Sequence, residues 1–80
     1  MTRKEAEQAL LQGKTLTATG RDFQYFAETD TKNRERVVYV WDITEQRTVS
    51  EYRYELNEMG AFLRTISNQA PIAEWQIHAA

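Results

Sequence analysis

Apolar side chains recur first with helical spacing, then with strand alternation, then with helical spacing again. Ala6, Ala9 and Leu10 fall at i, i+3 and i+4. Thr2 is placed to cap that stripe, Glu5 three residues on completes a capping box, and Gly13 fits the position just past the end, so the pattern predicts a helix over about 2–12. Lys14–Thr19 alternates, with Leu16 and Ala18 on one side and threonines on the other. Gly20-Arg21-Asp22 reads as a turn, after which Phe23, Tyr25 and Ala27 alternate with Gln24, Phe26 and Glu28. Thr29–Glu35 is a polar loop with the turn formers Asp30 and Asn33. Val37–Ile43, β-branched and aromatic, is the strongest strand; Thr44–Arg47 turns, and Thr48–Leu56 alternates again. Asn57 is a candidate N-cap for a second helix carrying Met59, Phe62, Leu63 and Ile66 at i, i+3, i+4 and i+7, with Glu58 in its first turn. Pro71 ends it, and Ile72–Ile77 can add a last strand. The expected fold is α+β: an antiparallel β-meander of four to five strands with two helices on one face, in the order α-β-β-β-β-α-β, as a single domain over residues 1–80.

The strand 37–43 does not alternate as a half-wet strand should, because Val37, Tyr39, Trp41 and Ile43 occupy one face and Val38 and Val40 the other. A turn through Thr44–Arg47 that pairs Trp41 with Ser50, Tyr39 with Tyr52 and Val37 with Tyr54 gathers the aromatics into the core. Val38 and Val40 then stand on the far face beside Val49, Glu51 and Arg53. The preceding strand has two registers. With Phe23, Tyr25 and Ala27 inward, Phe26 joins the far face; with them outward, all three do. Two helices of about 15 Å cannot cover both sides of a five-stranded sheet roughly 24 Å wide. The expectation is therefore an apolar far-face patch ringed by Arg36, Glu51, Arg53 and Glu55, which is how an interaction surface is built.

Composition narrows the function without naming it. An 80-residue chain with 41% hydrophobic and 28% charged residues is too apolar for disorder, but so small that its stability is marginal without help. It contains no cysteine and a single histidine, His78, which excludes disulfides, thiolate metal sites and any His-based zinc site or triad within one chain; self-association is the remaining helper. Ten Lys/Arg against twelve Asp/Glu give −2 with the signs interspersed, neither a nucleic-acid footprint nor a DNA mimic. No apolar h-region follows Arg3 and Lys4, and the longest apolar run is Val37–Trp41, far short of a membrane span, so the expectation is a cytoplasmic protein.

Candidate chemistry is sparse. The neighbouring carboxylates Glu28/Asp30, Asp42/Glu45 and Glu51/Glu55 carry no mark of a raised pKa. Ser50 and Ser67 have no base at motif spacing, and Gly13-Lys14-Thr15 lacks the earlier glycine and strand of a phosphate loop. The order of elements invites comparison with double-stranded-RNA-binding domains, but the second helix has Arg64 as its only cation where those domains present a basic face. Tyr39, Tyr52 and Tyr54 read as core aromatics. The chain is expected to be no enzyme and to hold no cofactor or metal.

The opening Glu5-Ala6-Glu7-Gln8-Ala9-Leu10-Leu11-Gln12-Gly13-Lys14 and the ending Ala73-Glu74-Trp75-Gln76-Ile77 resemble the termini of small phage and prophage accessory proteins. The nearest named group is the phage sponges that counter Thoeris immunity by sequestering a cyclic-nucleotide signal in pockets between subunits; small phage inhibitors of CRISPR complexes are a looser comparison. The middle of this chain lacks the sponges' Gly/Pro-rich segment, so no residue inherits their pocket. The resemblance implies a non-catalytic, phage-encoded protein that inhibits a host defence component in the host cytoplasm by occupying its surface. The residues expected at that contact are Phe26, Val38, Val40 and Val49, with Arg36 and Arg53 as rim charges. A homodimer through the same face, a small-nucleotide sponge and a nucleic-acid-binding domain are the alternatives.

Overall fold

Thr2 opens the first helix, α1 (Arg3–Leu11), with the full capping box: its hydroxyl accepts the Glu5 N–H at 3.2 Å, and Glu5 Oε1 accepts the Thr2 N–H at 2.9 Å. Gly13 follows at φ 77°, a left-handed conformation open to glycine, and turns the chain into the sheet. The structure, a computed structural model, describes residues 1–78. Five strands follow the expected order: β1 (Thr15–Thr19), β2 (Phe23–Asp30), β3 (Glu35–Asp42), β4 (Arg47–Glu55) and, after α2 (Met59–Gln69), β5 (Gln76–His78). All pair antiparallel in one open sheet of order β4-β3-β2-β1-β5, so the chain leaves one edge through α2 and returns at the other.

Two details of the second half differ from the sequence reading. Glu58, and not Asn57, is the residue before α2; its carboxylate accepts the Glu55 N–H instead of capping the helix. Pro71 leads into a 3₁₀ turn (Ile72–Glu74) that shortens the last strand. The turn delivers Trp75 to the core, 1% exposed, where Nε1 donates to the Ala70 carbonyl at 3.1 Å.

The hairpins β2–β3 and β3–β4 use one device. Asp30 and Asp42 each open a four-residue loop by accepting the N–H three residues on, from Asn33 at 3.1 Å and Glu45 at 2.9 Å. Arg34 and Gln46 close the loops at φ 56° and 54°. Asp42 therefore pairs with Arg47 and Trp41 with Thr48, after which a one-residue bulge at Val49 brings Val40 opposite Ser50, Val38 opposite Tyr52 and Arg36 opposite Tyr54.

That register overturns the expected facing of β3. Leu16, Ala27, Val38 and Tyr52 stand in one row across the sheet, and Ala18, Tyr25, Val40 and Ser50 in the next. Both rows lie under the helices. Val38 is fully buried in the cluster formed by Ala6, Ala9, Leu10, Phe62, Leu63, Ile66 and Trp75, and Val40 is 6% exposed. The size of the side chains explains the choice: Ala18, Ala27, Val38 and Val40 let α1 and α2 approach closely, whereas Phe26, Tyr39 and Trp41 would hold them off. Tyr54 remains inward, with its hydroxyl hydrogen-bonded to Thr65 and its ring edge-on to Phe62 at 6.0 Å.

Two substitutions test this packing by urea denaturation. Phe62→Ala should cost about 3–5 kcal/mol. Val40→Glu, which a solvent-facing position would tolerate, should unfold the domain, because it places a charge beneath the helices without a partner.

Candidate functional site

The uncovered face of the sheet is built by the alternate residues of the same strands. Across its middle, Thr17, Phe26, Tyr39 and Glu51 stand in one row; Gln24, Trp41 and Thr48 lie on one side of that row, and Glu28, Val37 and Arg53 on the other. Asp30, Glu35 and Glu55 complete the end of the face. Phe26, Tyr39 and Trp41 are each part-exposed. Val37 is fully buried although no helix covers it, so the side chains standing around it, including Glu28 and Arg53 directly opposite, exclude water from it.

Arg53 organises the charges. Its Nη1 donates to Asp30 Oδ2 at 3.0 Å and to Glu35 Oε1 at 3.1 Å, and its Nε to Glu51. Asp30 is further held by Asn33, whose Nδ2 donates to Oδ2 at 2.8 Å. The Asn33 side-chain amide first, then Arg53 and the Asn33 backbone N–H, bring the Asp30 carboxyl down to about 2. The surrounding carboxylates, Asp30 foremost, hold the Arg53 guanidinium in its charged form. Burial pushes the Tyr39 hydroxyl above the usual tyrosine value, and the Glu28 carboxylate acts in the same direction. Among the described strand residues of this face, Glu28, Asp30, Glu35, Glu51 and Glu55 stand with one cation, Arg53, so the strands present an acidic field around an aromatic centre.

The residues expected at a contact are divided by this geometry. Phe26 and Arg53 lie on the uncovered face as anticipated. Val38 and Val40 do not: they are core residues. Arg36 is no rim charge either. It is 6% exposed on the helix side, where Nη1 donates to the Leu56 carbonyl at 2.5 Å and Nε has no partner among the described residues. Val49 sits at the bulge on the sheet edge, 36% exposed. Glu28 shares the face with Phe26, as their alternation implied; Val37, Tyr39, Trp41, Asp30 and Glu35 belong to it too, and the sequence reading placed none of these five there. Their signal was present as alternation in register with Phe26, but it needed the pairing to be read.

Elsewhere, an open groove of about 370 Å³ lies between α1 and β5, lined among others by Lys4, Ala9, Lys14 and Ile77. Among the described residues no helix is long and apolar enough to cross a membrane.

The charge cluster has a pH signature. Asp30 titrates near 3.8 when unperturbed and about 2 when folded, so its contribution to stability is complete above about pH 4 and is lost as pH falls through about 2. Asn33→Ala and Arg53→Gln should each raise the Asp30 pKa in an NMR titration and flatten the acid limb of the stability curve within that window.

No protein-family model, curated protein or solved structure matches the chain.

Proposed function

We propose that the protein is a non-catalytic binding protein whose uncovered sheet face docks onto a basic surface of another protein and acts by occupying it. The observation that carries this reading is the aromatic centre of Phe26, Tyr39 and Trp41 within the carboxylates Glu28, Asp30, Glu35, Glu51 and Glu55. Aromatic side chains bury large area at small entropic cost and dominate interface energetics, while a surrounding field of one sign steers and orients the partner. An acidic rim selects lysine and arginine, and it repels a phosphate backbone. The phage-encoded inhibitor of a host defence protein expected from the sequence is one protein of this kind; that identity rests on the resemblance of the two termini.

The test is affinity enrichment from host lysate with the wild type and face variants in parallel, followed by calorimetry of the recovered partner at low and high salt. Phe26→Glu, Trp41→Glu and Glu28→Lys should each leave the circular dichroism spectrum unchanged and weaken binding by about tenfold or more, since central interface residues contribute above roughly 1.4 kcal/mol each. High salt should slow association with the wild type. A partner bound equally well by all three variants would remove this face from the function.

A further inference from the structure

The sheet ends on two edges of different character. β5 covers three of the described residues at one of them. β4, at the other edge, is nine residues long and contains neither proline nor lysine. Its bulge at Val49 interrupts the pairing near the start and leaves Ser50–Glu55 in continuous register with β3. Glu55 shows which backbone groups point outward: its N–H donates to Glu58 Oε1 at 2.9 Å and its carbonyl accepts the Glu58 N–H at 2.9 Å. Alternation along an antiparallel strand then turns the N–H and C=O of Arg53 and Glu51 away from β3 as well, out of the open edge. Val49, Tyr52 and Leu56, on or directly after this strand, are 36–38% exposed.

We propose that β4 pairs antiparallel with β4 of a second copy, about a two-fold axis at Tyr52, joining two sheets into one. A two-fold axis normal to the sheet keeps every side chain on its own face, so the register decides which charges meet. With the axis at Tyr52, Glu51 of each copy lies opposite Arg53 of the other and exchanges both outward backbone hydrogen bonds with it. Moving the axis to Glu51 or to Arg53 sets like charges directly opposite, which is unfavourable. Moving it to Tyr54 pairs Arg53 with Glu55, but keeps only residues 53–55 within the strand and requires Glu55 backbone groups that Glu58 already holds. The segment Glu51-Tyr52-Arg53 is therefore complementary to itself in one register. The uncovered face stays free in this dimer, so the proposal stands apart from the binding function above.

The chain has no cysteine, so a single introduced thiol reports the register without ambiguity. At the axis the two Tyr52 Cα atoms would be about 4.5 Å apart, within disulfide reach. Tyr52→Cys should therefore cross-link to a dimer under mild oxidation. Ser50→Cys should not, because its own mate lies roughly 13 Å away along the strand. Independently, Glu51→Arg and Arg53→Glu should each weaken the dimer about tenfold or more in sedimentation equilibrium, from two pairs turned repulsive. Mixing the two variants should restore it as a heterodimer, since opposite charges then meet again at both cross-strand positions. Concentration-dependent amide protection at Glu51 and Arg53 in the wild type checks the same pairing without any substitution. A wild type that sediments as a monomer at hundreds of micromolar, or Ser50→Cys cross-linking as readily as Tyr52→Cys, overturns the proposal.

Discussion

The single extra residue at Val49 governs much of this molecule. Without it, the four-residue loop after Asp42 would carry its register along the whole hairpin and set Tyr52 beside Val37. With it, Tyr52 and Tyr54 turn to the helix side, next to Val38 and Arg36, and Glu51 and Arg53 turn to the uncovered side, next to Tyr39 and Val37. Because side chains alternate with a period of two, a slip of one exchanges the two faces of a strand completely. The bulge therefore puts Tyr54 under α2, where its hydroxyl meets Thr65, and places Arg53 where it can collect Asp30, Glu35 and Glu51.

The helices then explain why one face is small and the other large. α1 presents Ala6 and Ala9 to the sheet, and the sheet answers with Ala18, Ala27 and Val38; the bulk comes from Leu10, Phe62, Leu63, Ile66 and Trp75 above them. Phe26 of β2 and Tyr39 and Trp41 of β3 fall on the opposite side by alternation, and both helices lie on the other face. Phe26, Tyr39 and Trp41 are thus left part-exposed, while Val37 is sealed by neighbouring side chains alone. Arg36 is the exception on the helix side. It is buried without a salt bridge among the described residues, with the Leu56 carbonyl accepting from its guanidinium where β4 gives way to the turn before α2. A charge held by a backbone carbonyl in this way ties the end of the strand to the core at some cost in solvation.

The uncovered face and the open edge share residues without competing for them. Glu51 and Arg53 contribute side chains to the charged part of the face and backbone groups to the edge, two directions at right angles. Pairing at the edge would extend the sheet and set two acidic, aromatic-centred faces side by side, which raises the effective concentration of a second site for any partner long enough to span both. Exposed ion pairs such as those of Arg53 add little to stability by themselves. Their role here is to hold side chains in place around the aromatic centre.

How much of this was legible in the chain follows from what each feature depends on. Helix starts and strands depend on neighbours within a few residues, so Thr2 with Glu5, the alternation of β1 and β2, and the stripe of α2 all emerged from local pattern; so did the α+β order. Asp30 was visible as a turn former for the same reason, whereas Asp42 read as part of the strand 37–43 and showed its turn-opening role only in the structure. The facing of β3 was not legible, because its apolar residues occupy both sides and give no preference of their own. The expected pairing missed the bulge by one residue, and that error sent Val38 and Val40 outward and Tyr39 and Trp41 inward. What the chain determined alone was the set of elements and an apolar surplus on the central strand. Which part of the surplus reaches solvent was decided only in three dimensions, by the volume available beneath two helices and by the parity of one hairpin.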